Sequence, residues 1–161
     1  MRINDKTINI TLGIIAIALL CVCVGSIMRP IQFGKERATR ETAVKQRLVK
    51  IRMAETKFKQ ANGNYCGSLD SLVAGGYMAD SLMYIPYSDN RKFDLSATVL
   101  LSKAGKSIPL MECGATYEEY LNGMDKNEID NITEEANSQG KYQGLKIGDT
   151  TTPNNNEGNW E

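Results

Sequence analysis

Histidine is missing from all 161 residues. That removes the commonest general base, the side chain that titrates nearest neutrality and the commonest metal ligand. The remaining residues offer no nucleophile–base pairing and no clustered metal donors, so the composition points away from an enzyme and calls for neither a cofactor nor a metal. Cysteine occurs four times and tryptophan once, at Trp160. Proline is equally sparse, at four residues, and none falls between 35 and 62. Charge is missing from one long stretch, 8–28, which reads INITLGIIAIALLCVCVGSIM.

What charge there is balances to zero over the whole chain but is unevenly placed. Residues 29–60 hold ten Lys or Arg against three Glu, while residues 112–161 hold eleven Asp or Glu against three Lys. The chain is a basic stem followed by an acidic end.

The uncharged stretch is long enough, at about 1.5 Å per residue, to match a hydrocarbon core of about 30 Å. It predicts a transmembrane anchor over 8–28, preceded by a short tail at 1–7. A cleaved signal peptide fits poorly, because its apolar region is shorter and ends in a small-x-small site. Cys21 and Cys23 then act as small hydrophobes. Ala18, Cys21 and Gly25 share one helix face, a track of small residues on which a second helix could pack.

Residues 29–62 form the expected stem. Pro30 is expected to break or kink the helix. Beyond it, Lys, Arg, Glu, Gln and Ala favour helix, and Val44, Leu48, Ile51, Ala54, Phe58 and Ala61 recur at steps of three and four, the spacing of one apolar stripe. The basic face could meet anionic lipid headgroups or simply be solvated. Nucleic acid is a poor partner, since the stem has almost no aromatic residues to stack on bases. Asn62-Gly63 reads as a helix C-cap.

Residues 63–148 read as a small α+β head. A short helix is expected over 68–73, strands over 82–85, 93–102 and 108–113, and a hairpin turn at 103–106. Gly105-Lys106-Ser107 is not a phosphate loop, because Leu100 stands where that motif needs glycine. Thr116 to Glu119 and Asp125 to Glu128 have the form of capping boxes, each opening a short helix that ends at Gly123 or Gly140. Cys66 and Cys113 could close a disulfide or remain two buried thiols. The polar tail, 149–161, is expected to be an extended loop, and residues 142–148 have too few apolar side chains to suggest an element. Trp160 could anchor an interface by filling a groove on this head or on a neighbour, or lie on an exposed end.

The order apolar run, basic amphipathic helix, Phe58-Lys-Gln-Ala-Asn-Gly-Asn-Tyr65, then Leu69-Asp-Ser-Leu72 and Gly-Gly-Tyr resembles type IV pilins and the pseudopilins of secretion machines. The ending, Gly144 to Gly148 and Asn154 to Glu161, is similar to that of small single-span envelope proteins of the Bacteroidota. Processed pilins carry a glycine before the apolar run and a glutamate near its start; neither is present here. The resemblance implies a pilin-like α+β fold: an N-terminal transmembrane helix, then a long amphipathic helix packed on a small antiparallel sheet with short helices. It also implies a single-pass inner-membrane protein with a cytoplasmic N-terminus and a periplasmic head. The count of Lys and Arg flanking the run, taken alone, implies the opposite orientation. The expected function is a structural or assembly subunit of an envelope or secretion-type complex. Its partners would be membrane lipid, other envelope proteins and further copies of itself. A tethered module binding a peptide or glycan is the alternative.

Overall fold

The good helix formers of residues 35–62 form the second half of α1 (Asp5–Asn62). The computed structural model describes residues 5–101 and 105–161, and of residues 5–8, 25, 27 and 29 it describes the backbone alone. Two compact units divide the chain, Met1–Glu36 and Arg37–Glu161.

In the first unit α1 continues through Pro30 without interruption, so the expected break is absent. Among the described residues no helix is long and apolar enough to cross a membrane. This overturns the transmembrane anchor expected over 8–28 and, with it, the single-pass inner-membrane placement with a periplasmic head.

In the second unit the apolar stripe of α1 faces inward: Val44, Leu48 and Ile51 are fully buried and Ala54 nearly so. Phe58 is half-buried against Tyr77, ring centroids 5.2 Å apart, and Ala61 is exposed. The helix stops at the expected cap. Gly63 takes a φ of 85°, which a side chain would resist, and donates its N–H to the Lys59 carbonyl at 2.8 Å. Ser68 then caps α2 (Leu69–Ala74), whose Leu69 and Leu72 join the core.

The expected strand at 82–85 is a 3₁₀ turn, Asp80–Leu82, followed by a single bridge between Tyr84 and Lys92. β1 (Asp94–Leu101) and β2 (Ser107–Thr116) pair antiparallel with Ala97 opposite Met111. The turn expected between them falls largely outside the described residues. Along β2, Met111, Cys113 and Ala115 alternate onto one face and are fully buried. Glu119 accepts hydrogen bonds from the Thr116 N–H and hydroxyl at 2.8 and 3.0 Å, opening α3 (Tyr117–Tyr120). Asp125 accepts from the Asn127 N–H at 3.0 Å and opens α4 (Lys126–Ser138).

Residues 144–148, where no element was expected, form β3 (Gly144–Gly148), antiparallel to β2 with Cys113 opposite Ile147. Only Leu145 and Ile147 supply apolar burial there, and the ladder on β2 does the rest. The sheet order is β1-β2-β3.

Among the described residues, one charged side chain is fully buried among the apolar ones. Glu55 accepts hydrogen bonds from the N–H groups of Cys66 and Gly67 at 2.8 and 3.0 Å, fastening the chain after it leaves α1. Burial pushes the Glu55 carboxyl above its ordinary value, against the pull of these two donors. Replacing Glu55 by Ala should lower the unfolding free energy by about 2–4 kcal/mol, because two N–H groups lose their acceptor. The sign of the pH effect follows from the raised value: Glu55 contributes most below the ordinary carboxylate value, and that contribution is lost as pH rises through the folded-state value. Urea unfolding from acid to neutral pH should show that decline in the native chain and a flatter profile in Glu55→Gln.

Candidate functional site

A groove of about 540 Å³ lies within the second unit, between the 37–45 stretch of α1, α4, β3 and the chain end. The tail builds one wall, although its polar composition suggested an extended loop. Asp149 accepts from the N–H and hydroxyl of Thr151 and the N–H of Thr152, and this turn lowers its carboxyl to about 2. Asn156 donates to the Tyr65 hydroxyl at 2.6 Å, and Gly158 bridges to Ile147. Asn159 accepts from the Lys146 N–H and donates to the Gly144 carbonyl. The terminal residue is held as well: Arg52 donates two hydrogen bonds to the Glu161 side-chain carboxylate at 2.9 and 3.0 Å. The basic stem and acidic end therefore meet inside one chain.

These bonds seat Trp160, the predicted anchor, as a half-buried lining residue of the groove. Its ring lies so close to Gly158 that a Cβ added there would stand 2.6 Å from it. Within β2 the same device recurs, since a Cβ on Gly114 would stand 2.6 Å from the Tyr142 hydroxyl. Burial pushes the Tyr142 phenol up to about 12, with Glu119 and Glu112 adding to the shift, so it stays a neutral donor. Tyr117 supplies a third ring.

Each of the three rings carries a cation. Arg37 lies 5.3 Å from the Tyr117 centroid, Lys45 5.7 Å from that of Trp160 and Lys146 5.6 Å from that of Tyr142. Arg37 also bonds Glu41 at 2.7 Å, and Lys45 reaches the same carboxylate at 3.9 Å. Burial works against the Arg37 charge, but the hydrogen bond and charge of Glu41, with Tyr117 and Tyr120 adding to them, together outweigh it and the pKa rises.

The other predicted site residues lie apart from the groove lining. Ala18 and Cys21 are exposed in the first unit, and the surroundings of Gly25 lie outside the described residues. Cys66 and Cys113 are both free thiols. Cys113 is fully buried in β2 and burial pushes its thiol up, while Cys66 is half-buried, its sulfur 3.5 Å from the Ser68 carbonyl. Among the described residues no group of His, Cys, Asp and Glu is placed to hold a metal. Sequence reasoning missed Tyr117, Tyr142 and the lysines around them. The available signal was glycine inside a strand, at Gly114, and glycine two residues before the only Trp, both marks of close approach.

A second hollow, of about 710 Å³, is lined by Arg40, Arg47 and the 84–90 loop, in which Tyr87 takes a φ of 64° with Arg40 over its ring at 4.7 Å. No family model matches the chain, and neither a curated protein nor a solved structure matches it.

Replacing Gly158 by Ala should force Trp160 out of its seat. Since it is the only tryptophan, its fluorescence reports this directly: the emission should move to longer wavelength and acrylamide quenching should rise several-fold, with helix content unchanged by circular dichroism.

Proposed function

We propose that this chain is a non-enzymatic structural or assembly subunit of an envelope or secretion-type complex, pilin-like in layout, which associates with further copies through the apolar stretch of α1. The observation that carries this reading is the exposure of that stretch. Every Ile, Leu and Val from Ile10 to Val24 is more than half exposed. A helix that is apolar all round requires cover on every side, and contiguous apolar surface of this kind marks an interaction site. The stretch carries no charge, so its cover needs no compensating charge, and the same stretch of another copy meets that condition. The layout adds support: the Asn62-Gly63 cap, the α2 helix and the antiparallel sheet follow the order of a pilin head.

A second reading, a module that binds a peptide or glycan, is favoured by the groove at Trp160, whose volume falls in the range of ligand sites.

Analytical ultracentrifugation of the full chain tests the assembly reading. The native chain should sediment as a concentration-dependent oligomer, and Ile14→Glu combined with Ile17→Glu should reduce its mass several-fold toward the monomer. A native chain that is monomeric at micromolar concentration, or an oligomer indifferent to both substitutions, would overturn it.

A further inference from the structure

We infer that the free edge of β1 pairs antiparallel with the same edge of a second copy, joining two three-stranded sheets into one of six strands. This contact belongs to the second unit and is separate from the one proposed for the apolar stretch of α1.

The two edges of the sheet differ. Along β3 the tail closes the edge: Asn159 accepts from the Lys146 N–H and donates to its carbonyl, and the Gly148 N–H reaches the Glu157 carbonyl at 3.0 Å. These bonds also fix which way each strand faces. Lys146 and Gly148 turn their backbone groups toward the tail, so Ile147 between them turns toward Cys113 of β2. Cys113 therefore faces away from β1, and its opposite residue Leu95, with Ala97, Val99 and Leu101 in step, points its N–H and C=O away from β2. Pro109 agrees, since it stands opposite Val99 and has no N–H to give it. Gly67 packs against Ala97. Beyond that contact, Val99 and Leu101 present two donors and two acceptors to the open side, and among the described residues no other backbone segment is bonded to them.

An edge that stays single is ordinarily guarded by charge, proline or a bulge. Residues 95–101 carry no charge and no proline, and the β1–β2 register runs through eight pairs without a bulge. Val99, Leu100 and Leu101 are all exposed, Val99 and Leu101 on one face and Leu100 on the other. Whatever covers this edge must be extended, uncharged and apolar on both faces. The same edge of another copy has all three properties and the same groups to satisfy, so one contact serves both copies, as a two-fold interface requires. With Leu100 on the axis, Val99 stands opposite Leu101 of the second copy and exchanges both backbone hydrogen bonds with it, and the symmetric pair does likewise. The three exposed side chains then meet across the strands, Leu100 against its own copy, and no like charges face one another.

Sedimentation of the full chain bearing Ile14→Glu and Ile17→Glu tests this contact with the α1 contact removed, so the two are read separately. That parent should sediment at about twice the monomer mass. Adding Leu100→Lys, or Leu100→Glu, sets like charges directly opposite and should return it to the monomer, while an equimolar mixture of the two should regain the doubled mass. Circular dichroism establishes that each variant is folded. Leu101→Lys, at a side chain already 75% exposed, should act in the same direction and serves if the Leu100 variants do not fold. A parent that is monomeric at about 100 µM, a dimer indifferent to every added charge, or a mixture that stays monomeric although both variants fold would overturn the inference and leave the α1 assembly reading standing. A monomeric parent that binds a short peptide alternating Thr with Val would overturn it too, because the edge would then take a foreign strand and not its own copy.

Discussion

The loops of the second unit depend on three arginines of α1. Arg40 donates to the carbonyls of Tyr120 and Asn122, Arg47 to that of Tyr84, and Arg52 to that of Asn156. A loop carbonyl has no ladder partner, and leaving it away from water without a donor is costly. Guanidinium groups offer several donors in a fixed fork and so can serve carbonyls from more than one residue. The apolar stripe of α1 is locked into the core, so the arginines beside it are locked too. The turn after α3, the segment before β1 and the tail each take their position from that helix.

Glu55 extends the same arrangement to the other sign. Its carboxylate sits one residue beyond the buried Ala54 and receives two N–H groups from the 66–67 turn. A buried charge with two good donors is tolerable, whereas the same charge without them would be expelled or neutralised. The helix thus supplies donors to loop carbonyls through arginine and an acceptor to loop amides through glutamate. Three of the stem's ten cations are structural: Arg40, Arg47 and Arg52 are spent on the chain's own backbone and C-terminal side chain.

The groove follows from this. Arg52 fixes Glu161, Glu161 accepts from the Gly158 N–H at 3.1 Å, and Gly158 gives Trp160 room to fold back. A polar tail with almost no apolar payload becomes ordered because its hydrogen bonds have partners already held in place by α1 and β3. The cation-bearing rings then arise where the basic stem, the α4 helix and this tail come together, and their chemistry is set by the stem's charge.

Local signals were legible in the sequence where their partners are near in the chain. The Asn62-Gly63 cap, the Thr116–Glu119 box, the Asp125 cap and the stripe from Val44 to Ala54 all depend on neighbours within about one turn or on a single period, so residue identity determined them. The β3 strand, the docked tail and the burial of Glu55 were not legible, because each needs a partner far along the chain: β2 for Gly144–Gly148, Arg52 for Glu161, and the 66–67 turn for Glu55. The uncharged stretch 8–28 read as a transmembrane anchor, and that expectation failed, because among the described residues no helix is long and apolar enough to cross a membrane. Short-range hydrogen bonding and periodicity are written in adjacent letters. Long-range pairing is decided only when the core brings distant backbone groups within reach, since a polar group takes whichever partner the fold sets beside it.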